Sequence, residues 1–151
     1  MELERAAIER ILARWPVARL ATLASDGRAQ LVPIVFAESG GALWSPVDGK
    51  PKRGPELARL RNLRREPRVC LLLDHYDADW SALWWLRLDG RASVVPASGA
   101  EALAAAGALR AKYRAYERGV TPLFTGEPTL IRIAIEKRVG WRASDHMGQL
   151  P

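Results

Sequence analysis

Residues 42–73 read ALWSPVDGKPKRGPELARLRNLRREPRVCLLL, and the arrangement of the rest of the chain turns on them. Residues 42–44 predict the end of a strand, and residues 45–54 a turn-rich loop in which Asp48 and Gly49 bend the chain ahead of Lys50, Lys52 and Arg53. Pro55 suits the first position of a helix. Leu57, Leu60, Leu63 and Arg64 share one face of that helix, and Pro67 stops it. Residues 69–73 are an unbroken apolar run of strand length, which predicts a buried strand with Cys70 in the core. The unit is therefore strand, basic loop, basic helix, strand. Cations beside the free N–H groups of a helix N-terminus stabilise an anion, so in outline the unit is a phosphate site.

Working outward, residues 2–15 place Leu3, Ala7, Ile8, Ile11, Leu12 and Trp15 on one helical face, ended by Pro16. Residues 17–24 and 29–36 flank the turn signal Ser25-Asp26-Gly27 and predict a β-hairpin, with Pro33 marking its second strand as an edge or a bulge. Beyond the loop DHYDADW, Leu86, Leu88, Gly90, Ala92 and Val94 alternate with polar residues, and the phase survives Gly90, so one continuous strand is expected. Ser98 and Glu101 have the spacing of a capping box ahead of an alanine-rich helix reaching about Arg118, with Gly119 at its end. Residues 130–135 predict a strand and residues 139–142 a further short one. Strands dominate and the helices are interspersed, so the expected class is mainly β with peripheral helices, an α+β split β-barrel forming a single domain over residues 1–151.

The chain has 48% hydrophobic and 26% charged residues, no apolar run of membrane-spanning length, and acids in the opening MELERAAIER where a signal peptide is apolar. A soluble cytoplasmic protein is expected. Lys50, Lys52, Lys112 and Lys137 are the only lysines, so arginine supplies most of the +6 net charge and an anionic partner is expected. Arg61, Arg64 and Arg65 lack any accompanying nucleic-acid-binding motif, so nucleic acid is not the expected partner. The spacing of Asp74, His75, Asp77 and Asp79 misses the EF-hand pattern, and with two histidines and one cysteine no metal site is expected. Ser144, Asp145 and His146 are consecutive, so their side chains diverge and do not make a triad. Trp80, Trp84 and Trp85 have two open readings: walls that stack on a planar ring, or ordinary core filling.

The segments DGKPKRGPELARLRNLRREPRVCLLLDHYDADW and LWWLRLDGRA resemble the pyridoxamine-phosphate-oxidase-like, FMN-binding-like split-barrel family, and more narrowly its actinobacterial branch dependent on coenzyme F420. The later KYRAY and VGWRAS segments are similar to that branch as well. The resemblance implies a homodimer with the cofactor at the subunit interface and hydride transfer through a flavin-like ring, F420 or alternatively FMN, to a small unsaturated organic substrate. It also implies that Ser45, Lys50, Lys52 and Arg53 meet the cofactor's phosphate and that Arg59 and Asn62 are polar contacts from the helix. Arg142 and His146 have three residues between them where the oxidase branch has one between arginine and histidine, which argues against oxidation of pyridoxamine phosphate. The rival is a non-catalytic protein that binds a flavin, a deazaflavin or a tetrapyrrole.

Overall fold

A computed structural model describes residues 1–47 and 56–144. Lys50, Lys52, Arg53, Pro55 and His146 lie outside the described residues. Seven strands form one antiparallel sheet in the order β2-β1-β5-β6-β7-β4-β3, a split barrel that does not close. The strands are β1 (Ala18–Leu23), β2 (Ala29–Ile34), β3 (Ala37–Ser39), β4 (Ala42–Pro46), β5 (Arg68–His75), β6 (Trp84–Pro96) and β7 (Thr129–Arg142). Helices α1 (Arg5–Arg14), α2 (Ala58–Arg65), α3 (Ala100–Lys112) and α4 (Arg114–Glu117) pack around it.

The expected hairpin is β1–β2, registered Ala18 to Ile34 through Leu23 to Ala29. Pro33 is tolerated because β2 is an edge strand, where a missing N–H breaks no second ladder. The strand expected over residues 29–36 ends at Ile34, and a short strand that was not expected follows it. The chain leaves the first ladder after Ile34 and starts β3, which turns at Gly40 and Gly41 into β4. Four strands therefore precede α2. That helix begins at Ala58 and buries Leu60 and Leu63, while Arg64 stays exposed and pairs with Glu56 at 2.8 Å.

β5 is not buried on both faces. Leu71 and Leu73 are fully buried, whereas Leu72 is exposed and Cys70 is half-exposed on the outer face, not in the core. Burial, together with Asp89, pushes the Cys70 thiol up, away from the thiolate that nucleophilic chemistry needs.

β6 is continuous as its alternation predicts, but β7 is one strand where two were expected. Glu136, Lys137 and Arg138 fill the gap between the two expected strands. In the fold they sit at a β-bulge: Asp89 faces Lys137 and Gly90 faces Ile135, leaving Glu136 without an opposite residue on β6. A Cβ at Gly90 would stand 2.3 Å from the Ala134 carbonyl oxygen, so only glycine fits opposite the bulge.

The capping box does not form. The residue before α3 is Gly99 at φ +85, with no side-chain cap, and Glu101 instead pairs with Arg132 at 2.6 Å. The helix expected to reach Arg118 breaks at Tyr113, whose hydroxyl is held by the main chain: it accepts from Phe36 N–H at 3.0 Å and lies 2.9 Å from the carbonyls of Pro16 and Phe36. Beside it, Lys112 donates to the Leu12 carbonyl at 3.0 Å, with Nζ 3.6 Å from the Phe36 ring centroid.

Candidate functional site

Ser45 and Arg59 come together although one is on a sheet and the other on a helix. β4 pairs with β7, Ser45 opposite Ile131, and this places Ser45 at a buried position on the rim of the barrel. α2 crosses the same end. Its register is fixed by Asn62, whose amide Nδ2 donates to Thr22 Oγ1 at 3.0 Å and to Gln30 Oε1 at 2.5 Å, tying the helix to both strands of the hairpin. Asn62 is buried, and its donors are committed to the frame of the site.

Two recesses meet at Arg59. The first, of about 200 Å³, has an apolar lining of Val17, Pro33, Ile34, Val35 and Pro46 into which Ser45, Arg59 and Tyr116 bring polar groups. The second, of about 310 Å³, is lined by Thr22, Gln30, Leu31, Val32, Leu57 and Ala58 together with Arg59. Neighbouring arginines of α2 are engaged locally. Arg61 donates to the Glu56 carbonyl, Arg64 pairs with the Glu56 carboxylate and Arg65 donates to the Leu23 carbonyl. A basic helix that spends its cations on its own chain is poorly disposed to grip a polyanion.

The three tryptophans do not converge on these recesses, and none lines either. Trp84 is 1% exposed and packs edge-on against Trp15, ring centroids 4.8 Å apart at 73°, so it fills the core. Its indole N–H has no hydrogen-bond partner among the described residues. Trp85 points to the opposite face of β6 and pairs across the strand with Trp141. Trp80 sits exposed on a single 3-10 turn at residues 80–82, started by Asp79, which accepts from Ser81 N–H at 3.0 Å. The acids of the same loop serve local ends: Asp74 pairs with Arg19, and Asp77 pairs with His75 Nε2 at 2.8 Å.

Tyr116 is the residue the sequence reading missed. It lies in a broken helix end where alternation does not point inward, and the signals available were the spacing Tyr113 to Tyr116 and the KYRAY segment that holds both. The site so built has one guanidinium, two hydroxyls and an apolar floor. Such a donor set fits a flat ring that carries carbonyl oxygens on its edge.

An unclosed antiparallel barrel with peripheral helices defines a split-barrel protein. The family model described as pyridoxamine 5'-phosphate oxidase matches residues 5–142, and the chain belongs to that family. Among solved structures it is similar to the conserved hypothetical protein Rv2991 from Mycobacterium tuberculosis, with a TM-score of 0.73 and 23% identity over 97% of this chain and 91% of that one. HutZ, the heme storage protein from Vibrio cholerae, is similar at a TM-score of 0.69 and 18% identity over 94% and 95% of the two chains. A protein named F420 reductase is similar at a TM-score of 0.56 and 22% identity over 86% and 94%. These identities show a shared fold. No curated protein sequence matches the chain.

Proposed function

We propose that the protein is an oxidoreductase that binds a flavin-type cofactor, coenzyme F420 in preference to FMN, at the rim where Ser45 and Arg59 meet. The convergence of those two residues on one recess carries this reading, with family membership behind it. The cofactor, when bound, supplies hydride transfer to a small unsaturated substrate. The chain's own residues bind and orient: Arg59 serves both recesses, and Asn62 holds Thr22 and Gln30 in place along the second. Lys50, Lys52 and Arg53, with Ser45, are proposed to meet the phosphate. The likeness to a protein named F420 reductase supports the choice of cofactor, and the acidic tail of F420 suits a chain of net charge +6. Titration with F420, FMN and FAD, followed by ring fluorescence, tests the proposal. F420 binding tighter than FMN is expected, and equal or tighter FMN binding overturns the preference.

The working unit is proposed to be a homodimer. On the outer side of the sheet Leu23, Leu31, Leu72 and Trp141 remain exposed along β1, β2, β5 and β7, with Ala21, Cys70 and Trp85 between them. Arg19, Asp74, Arg87 and Asp89 interrupt these apolar residues on the same face, and such a mixed apolar and charged face suits a partner surface. Leu31 also lines the Arg59 recess, so a second copy seated there would wall it. Sedimentation of the cofactor-loaded chain at micromolar concentration should show a dimer, and monomer alone would refute it. Storage of a tetrapyrrole is the second reading, supported by the likeness to HutZ. It is the weaker one because no histidine or cysteine among the described residues borders either recess.

A further inference from the structure

We propose that Tyr116 is a ligand-contacting residue of the Ser45–Arg59 recess, and that α4 is thereby a specificity wall of the site. The inference rests on the cofactor reading above and adds a residue to it. Tyr116 is half-buried and lines the recess with Ser45 and Arg59, the other two polar members of a lining that is otherwise apolar.

Its ring is held in place from behind. Tyr113 and Tyr116 meet edge-on, centroids 5.9 Å apart at 70°. Tyr113 is itself pinned by its hydroxyl to the main chain of Pro16 and Phe36. Those two anchors adjoin Val17 and Val35, two apolar walls of the same recess. One tyrosine thus ties the walls to α4, and the next one along the helix faces the space they enclose. An aromatic body with a hydroxyl at its tip suits such a position: the ring covers apolar ligand surface and the O–H reaches a polar edge.

A recess of about 200 Å³ has room for part of a fused ring system and not for a whole nucleotide-like cofactor. Its chemistry suits a flat ring, because the apolar walls can cover ring faces while Arg59 and Tyr116 offer donors to a polar ring edge. The class of ligand is a fused heteroaromatic ring with carbonyl oxygens on the edge presented to Arg59 and Tyr116, its phosphate side lying toward Ser45.

The test is titration of the intact chain with F420 and with FMN, read by ring fluorescence and by the absorption band of the bound ring. It compares wild type, Tyr116→Phe, Tyr116→Ala and Glu117→Ala. Tyr116→Phe keeps the contact with Tyr113 and removes only the hydroxyl. It should weaken binding about fivefold and shift the band while leaving the melting temperature unchanged. Tyr116→Ala should weaken binding further, and the exposed Glu117→Ala should bind as wild type does. Unchanged affinity and band position in Tyr116→Phe and Tyr116→Ala, with wild type binding either probe, would overturn the role of Tyr116 and leave the cofactor reading standing. Failure of the wild type to bind either probe would overturn both.

Discussion

The molecule has two cores, and they are built on different principles. The larger lies inside the barrel, where Leu20, Leu71, Leu73, Leu86, Leu88, Ile131 and Ile133 interdigitate under α1. The smaller lies under α3, where Ala102, Ala105, Ala106 and Leu109 press on Ala37, Ala42 and Trp44. The first is filled by branched side chains of similar size. In the second, small residues let a helix approach closely and one indole fills the remaining space. A core of branched chains suffers most from losing volume, and a seam of alanines from gaining it.

The sharpest way to break that comparison is a pair of opposite substitutions. Leu71→Ala should cost about 2 to 5 kcal/mol of stability, measured by denaturant unfolding. Ala105→Leu should cost about 1 to 3 kcal/mol by overpacking the α3 seam. If Ala105→Leu is neutral, the second core is loosely packed and the distinction fails.

Between the two cores stands the Lys112–Tyr113 pair. Tyr113→Phe removes the partner of the Phe36 N–H, and a buried donor left unpaired costs about 1 to 3 kcal/mol. A smaller loss in the same unfolding assay would mean that water reaches this junction.

The smallest effect is one of pH. Burial lowers the Lys112 pKa from 10.5 to about 8. Within that window the unfolded chain holds the proton and the folded one releases it, so stability gains from this residue as pH rises from 8 to 10.5. The cost of the buried charge is fully present below pH 8. Tyr113 acts in the opposite sense at higher pH. Burial raises it from 10 to about 12, and the stability tied to its neutral form is lost as pH climbs through that range. Relative to Lys112→Met, the wild type should therefore gain in denaturation midpoint between pH 8 and 10. Parallel curves would show that Lys112 is solvated.

Much of the larger core was legible in the sequence because barrel strands alternate. Leu86, Leu88 and Ala92 announced the inward face of β6, and Pro33 announced an edge. The smaller core was not, because alanine signals helix as readily as it signals contact. Where expectation and structure part, long-range partners won over local signals. Glu101 turns to Arg132 and not to the helix start, and Tyr113 breaks the helix because three main-chain groups claim its hydroxyl. For the candidate site, the family resemblance named Ser45 and Arg59, and the fold places both on one recess. Tyr116 arrives from far along the chain, and although the KYRAY segment resembles the family, nothing local to it tells that its ring reaches Ser45 and Arg59.

Glu136, the extra residue of the bulge, acts as a reading-frame change along β7. Before it the odd-numbered residues Ile131 and Ile133 lie inward, opposite Val94 and Ala92; after it the even-numbered Gly140 and Arg142 do, opposite Leu86 and Trp84. The switched frame gives α1 a bare backbone at Gly140 for Leu3 to rest on, and brings the buried Arg142 to within 3.7 Å of Glu4. Deleting that one residue would turn Trp141 toward the space that Leu3 now fills and expel Arg142, exchanging the strand's two faces at once. The end of β7 that carries α1 thus depends on a count of residues as well as on their chemistry.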